Sequence, residues 1–160
     1  MRLKKFILLF LLAIGCGTYT PLDNRYAKYD HIYYFDTQLR NLEEYGFKKS
    51  ERYQYGIFDH KSASLKLISA DGNWEFKKIL KLKKTNTDIL EVEGYDKFFI
   101  YFRDPRGIVF TENIENAKSV KSLIDTGGAL EELTSIDACK EHSAKVKKEQ
   151  EEFTTSPGQE

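Results

Sequence analysis

Two aromatic-Asp-His triplets, Tyr29-Asp30-His31 and Phe58-Asp59-His60, are the first residues whose types could do chemistry. A carboxylate beside an imidazole can seed a metal site or a general base. Adjacent strand residues point to opposite faces, so neither pair is placed to act alone. A metal site would need both triplets to converge, with His31 and His60 as the candidate ligands. Farther along, Cys139 precedes His142 by three residues, a spacing that on a helix can bring an imidazole to a thiol. The commoner role of such a cysteine is packing. No Gly-x-Ser-x-Gly, Ser-x-x-Lys, His-Glu-x-x-His, Gly-x-Gly-x-x-Gly or phosphate-loop pattern occurs. The expectation is therefore a non-enzymatic chain with no catalytic residue and no cofactor.

Two other groupings suit binding. Eight of the ten tyrosines fall between Tyr19 and Tyr55, and tyrosine is favoured in interaction hot spots. Lys77, Lys78, Lys81, Lys83 and Lys84 form a basic run without an acid. On a strand, Lys77, Lys81 and Lys83 share a face that suits an anionic headgroup or glycan. Tyr33, Tyr53, Tyr55, Lys77, Lys81 and Lys83 are thus the candidate ligand-binding residues. The plainer alternatives are ordinary sheet packing for the tyrosines and a solvated or edge-protecting face for the lysines.

The beginning of the chain concerns location. Arg2, Lys4 and Lys5 precede an unbroken apolar run from Phe6 to Ile14, followed by Gly15-Cys16-Gly17. These are the charged and apolar regions of a secretory signal peptide. The run is shorter than the roughly 20 apolar residues a spanning helix needs. Ala13-Ile14-Gly15-Cys16 resembles a lipobox, the cleavage and lipidation site of bacterial lipoproteins. Gly15 and Cys16 match that pattern in full, while Ala13 and Ile14 match it loosely. The resemblance, which covers residues 1–17, implies cleavage before Cys16, acylation of Cys16 and anchoring on a membrane face of the cell envelope. Gly17 is not the aspartate that retains such proteins at the inner membrane in enteric bacteria, which implies the outer membrane or the cell surface. Two or more acyl chains suffice for a stable anchor without a spanning segment.

Composition sets the outer limits. The chain has 160 residues, 25 Lys+Arg and 25 Asp+Glu, with a 41% hydrophobic share. That content excludes wholesale disorder, and the absence of a basic excess argues against a general nucleic-acid binder. Loss of residues 1–15 removes three cations and leaves 22 basic against 25 acidic residues, a charge of −3. Cys139 then has no cysteine free to pair with it, since Cys16 is acylated.

The elements that must position these residues read as α+β. The expected organisation is a signal peptide at 1–15, a lipidated tether at 16–25, a single α+β domain at 26–146 and a flexible polar tail at 147–160. Residues 26–35 suit a strand. Residues 36–46 suit a helix capped by Asp36 and stopped by Gly46. From Phe47 to Glu112 the alternation predicts an antiparallel meander of five or six strands, with a bulge near Lys77-Lys78. One helix ending near Asp125, a break at Thr126-Gly127-Gly128 and a second helix from Ala129 to Glu149 complete the reading. The function this supports is a membrane-anchored envelope lipoprotein carrying a small binding domain for an envelope protein or an extracellular ligand. The alternatives are a metal-dependent protein using His31 and His60, and a structural or assembly accessory of the outer membrane.

Overall fold

The computed structural model describes residues 20–35, 53–69, 74, 76–103, 106–115 and 123–155. Eight strands form it: β1 (Ile32–Tyr34), β2 (Tyr53–Asp59), β3 (Ser64–Ser69), β4 (Phe76–Lys84), β5 (Leu90–Val92), β6 (Phe99–Arg103), β7 (Gly107–Thr111) and β8 (Leu123–Ala129). A 3-10 helix (Asn24–Tyr29) precedes them and one long helix, α1 (Ile136–Thr155), follows. Each strand pairs antiparallel with the next, and β8 returns to pair with β1. The result is a closed barrel, not the open meander of five or six strands that the alternation predicts. The expected helix over 36–46 lies outside the described residues.

The difference comes from residues 123–129. Expected as a helix end and its glycine break, they form β8, the strand that closes the sheet. Gly127 explains how. A Cβ built there would lie 2.5 Å from the Phe35 ring, and one on Gly56 would lie 3.1 Å from the same ring. Phe35 therefore lies across two strands from which side chains are missing, and Gly127, part of the expected helix break, together with Gly56 leaves the space it fills. The closing seam is short, with Tyr33 opposite Ala129 and Tyr34 opposite Gly128.

An eight-stranded barrel has an interior just wide enough for side chains to fill or for one small ligand. Here side chains fill it. Tyr33, Phe35, Tyr53, Phe58, Leu65, Leu67, Leu80, Phe98, Ile100 and Phe110 are all buried in one cluster. Phe98 stacks on Phe110 at 5.6 Å, and Phe58 meets Phe102 at 4.6 Å. On β4 the alternation is plain, with Leu80 and Leu82 buried inside while Lys83 is exposed and Lys81 half-buried. An interior packed with apolar side chains is the reverse of the polar lumen of a membrane-spanning barrel. Among the described residues no helix is long and apolar enough to cross a membrane. The expected bulge is present: Leu67 pairs with Lys78 and Ile68 with Phe76, so the register slips at Lys77.

A second apolar cluster lies outside the barrel wall. Ile32, Tyr55 and Ile68 face outward and are covered by Leu133 and Cys139. Helix α1 begins at Ile136 rather than Ala129, and the Ser135 hydroxyl accepts the Ala138 backbone N–H at 3.1 Å, the geometry of an N-cap. The helix continues to Thr155, into the stretch expected as a loose tail. At the other end of the chain, Leu22 is buried and its N–H donates to the His60 carbonyl. The last residues of the expected tether, 22–25, therefore belong to the domain.

Candidate functional site

The two triplets do converge, though with one histidine. Both sit at the same end of the barrel, where β1 starts and β2 finishes. The His60 backbone N–H donates to Asp30 Oδ1 at 2.8 Å, and the His60 ring Nδ1 lies 2.5 Å from Asp30 Oδ2. Asp59 adds a second carboxylate, and one ligand-type atom from each of Asp30, Asp59 and His60 falls within 4.8 Å of the others. His60 is buried, Asp59 half-buried and Asp30 exposed. The Ser62 hydroxyl donates to Asp59 Oδ2 at 2.6 Å and holds that carboxyl below the usual carboxylate range. His31 stands apart from the group, exposed and edge-on to Tyr33 at 6.5 Å. Two carboxylates and an imidazole are a donor set able to hold a divalent cation.

Beside this group a cleft of about 920 Å³ opens on the outside of the barrel. Its floor comes from Ile32 and Ile57, neighbours across β1 and β2, and from Leu130, Leu133 and Ile136 on the chain leading into α1. Its rim carries Asp30, His31, Arg106 and Glu131. Arg106, just before β7, pairs with Glu131 and so joins the two sides of the rim. The outward position of Ile32 and Ile57 follows from the strand period. Ahead of α1, Leu133 turns down onto the wall, with its N–H bonded to the Leu130 carbonyl at 3.1 Å. A largely apolar concavity with a few charged groups at its edge suits ligand or segment binding.

The expected ligand-binding tyrosines are elsewhere. Tyr33 and Tyr53 point into the barrel core and Tyr55 lies beneath α1, all three buried, so they form no exposed face. The strand register is the reason: Tyr33 falls on an inward position of β1, and the register shift between Tyr53 and Tyr55 sends Tyr53 inward and Tyr55 outward, under α1. Tyr33 donates to the Tyr29 carbonyl at 2.9 Å, and burial raises its hydroxyl pKa. Lys81 is half-buried and Lys83 exposed on the outer face of β4; the Lys77 side chain lies outside what is described. Cys139 and His142 do share a helix face, but they do not meet as a catalytic pair. His142 Nδ1 lies 3.0 Å from the Tyr55 hydroxyl, and its ring is edge-on to Tyr34 at 4.8 Å. Burial pushes the Cys139 thiol up to about 11, the opposite of activation.

Sequence reasoning missed the cleft itself. Its residues come from four separated stretches with no local signature, and only the topology brings them together. The signal that could have located its edge is the repeated aromatic-Asp-His triplet. No protein-family model, curated protein or solved structure matches the chain.

Proposed function

We propose that the chain is a lipid-anchored binding module of the bacterial cell envelope. Cys16 carries the acyl anchor, on the outer membrane or the cell surface, and the cleft outside the barrel receives an envelope protein or an extracellular ligand. The observation that carries this reading is the contrast between a filled interior and an open, largely apolar concavity on the outer wall. A barrel whose centre is occupied by its own aromatic rings has its outer surface left for recognition. The cleft's charged rim and greasy floor favour a partner that offers an apolar group flanked by polar ones. No catalytic residue is assigned.

Two measurements test the reading. Cys16→Ser should abolish incorporation of labelled palmitate and move the protein out of the membrane fraction; unchanged labelling would overturn the anchor. Leu130→Asp places a charge on the cleft floor at a half-buried position. Cross-linking in intact cells should lose specific adducts in that variant while its folding stays intact. An identical adduct pattern would remove the cleft as the binding surface.

A second reading rests on the convergence of Asp30, Asp59 and His60. A metal-dependent role would use these three residues rather than His31 and His60. Zinc should then bind with a stoichiometry near one and raise the melting temperature, and His60→Gln should lose both effects. Wild-type protein that neither binds nor is stabilised by zinc would end this alternative.

A further inference from the structure

At the same end of the barrel, on a different side from the cleft, a smaller pocket of about 270 Å³ lies between the 3-10 helix and β6. Arg25, Tyr26, Lys28 and Tyr29 from the helix, Asp88 from the β4–β5 turn, and Tyr101 and Phe102 from β6 line it. The volume falls just under the roughly 300–1,000 Å³ of sites that take drug-sized ligands, so it suits a single ring-sized group. Three features set the chemistry of that group.

First, the pocket is aromatic. Tyr29 stacks on Phe102 with ring centres 4.5 Å apart and planes within 10°. Tyr101 is half-buried, and among the described residues neither its ring nor its hydroxyl has a partner. Second, the cations already occupy aromatic faces. The Arg25 guanidinium lies 5.0 Å from the Tyr26 ring centre, and the Lys28 ammonium lies 4.8 Å from that of Tyr29. Third, the edge mixes donors and acceptors, since Arg25 Nη1 lies 3.3 Å from the Asp88 carboxylate.

These features discriminate among guests. A quaternary ammonium would meet Arg25 and Lys28 where it needs bare aromatic faces. A strongly anionic group would have to compete with Asp88 for Arg25, whose Nη1 already lies 3.3 Å from that carboxylate. A purely apolar group would leave Arg25, Lys28 and Asp88 without use. A sugar ring fits all three features, because its C–H face packs on an aromatic ring while neighbouring hydroxyls bridge the forked donors of an arginine and the two oxygens of a carboxylate. We infer that this pocket is a saccharide site, with Tyr101 as the stacking platform and Arg25 and Asp88 as the hydroxyl-reading pair. It is separate from the cleft, and the inference holds whether or not the cleft binds a partner.

Saturation-transfer NMR on the purified full-length protein, in a sugar-free detergent, tests it. The probes are methyl β-galactopyranoside, methyl α-mannopyranoside and N-acetylglucosamine, with tetramethylammonium as the counter-probe. Saturation should reach the ring protons of at least one sugar. It should fall at least fivefold in Tyr101→Ala and in Asp88→Asn, and persist in Tyr101→Phe. Asp88 is on the surface with its side chain 81% exposed, so Asp88→Asn reports on the pocket even if Tyr101→Ala disturbs β6. Absence of transfer to all three sugars would overturn the assignment. So would a signal indifferent to both variants, or saturation of tetramethylammonium in place of a sugar.

Discussion

Cys139 is fully buried under the first turn of α1, against the outer wall of the barrel. Its thiol is pushed up to about 11 by that burial, so at neutral pH almost none of it is thiolate. Alkylation by iodoacetamide at pH 8 should be much slower in the native protein than in urea, as followed by mass spectrometry. The same shift makes a pH statement. An acid whose pKa is raised on folding keeps its proton in the native state while the unfolded chain loses it. Its contribution is therefore whole below about pH 9 and is lost as pH rises toward 11. Urea midpoints of the wild type should fall across that window more steeply than those of Cys139→Ala. Asp30 makes a different kind of contribution. It pairs with the His60 ring and also receives the His60 backbone N–H. Asp30→Ala should cost about 1–3 kcal/mol in urea unfolding, because His60 stays buried with its polar groups unmet.

At the scale of elements, closure of the barrel depends on how Phe35 crosses Gly56 and Gly127. Gly127→Ala forces a methyl group into the Phe35 ring, and its cost should be about 1–3 kcal/mol, the usual range for overpacking. Gly94→Ala is a useful contrast: nothing surrounds a Cβ there, but the φ of +82° favours glycine, so strain alone should appear. This element also shows where the sequence was readable. Strands β2 to β7 follow from period-2 alternation, and the slip at Lys77 follows from the two lysines that interrupt it. β8 was hidden because its centre, Asp125-Thr126-Gly127-Gly128, is polar and lacks side chains at its end. Its fitness as a strand lies in the ring it accommodates, which comes from residue 35. For the site the limit was similar. The paired triplets flagged Asp30, Asp59 and His60, yet His31 was excluded only by the turn of the chain before β1. The tyrosines of β1 and β2 have the composition of a binding face, and only a closed sheet determines that they point inward or lie under a helix.

Over the whole molecule, α1 is a helix of 20 residues, about 30 Å long. Its first two turns are docked through Ile136, Cys139 and His142, whereas residues 147–154 are exposed, including Phe153 at 89%. Truncation after Val146 should leave the thermal midpoint within about 2 °C of the full chain, since surface changes away from packed features are nearly neutral. Truncation before Ser135 should uncover Ile32, Tyr55 and Ile68, lower the midpoint sharply and promote aggregation in light scattering. The ring of eight strands bears on the anchoring proposed above. Proteins tethered to a membrane are confined to two dimensions, where neighbours collide often and in similar orientation. An open sheet in that setting presents the same unpaired backbone to every neighbour. With β1 joined to β8, each copy has spent its hydrogen-bonding rim on itself, so copies anchored as proposed above would crowd one another without a shared edge on which to polymerise.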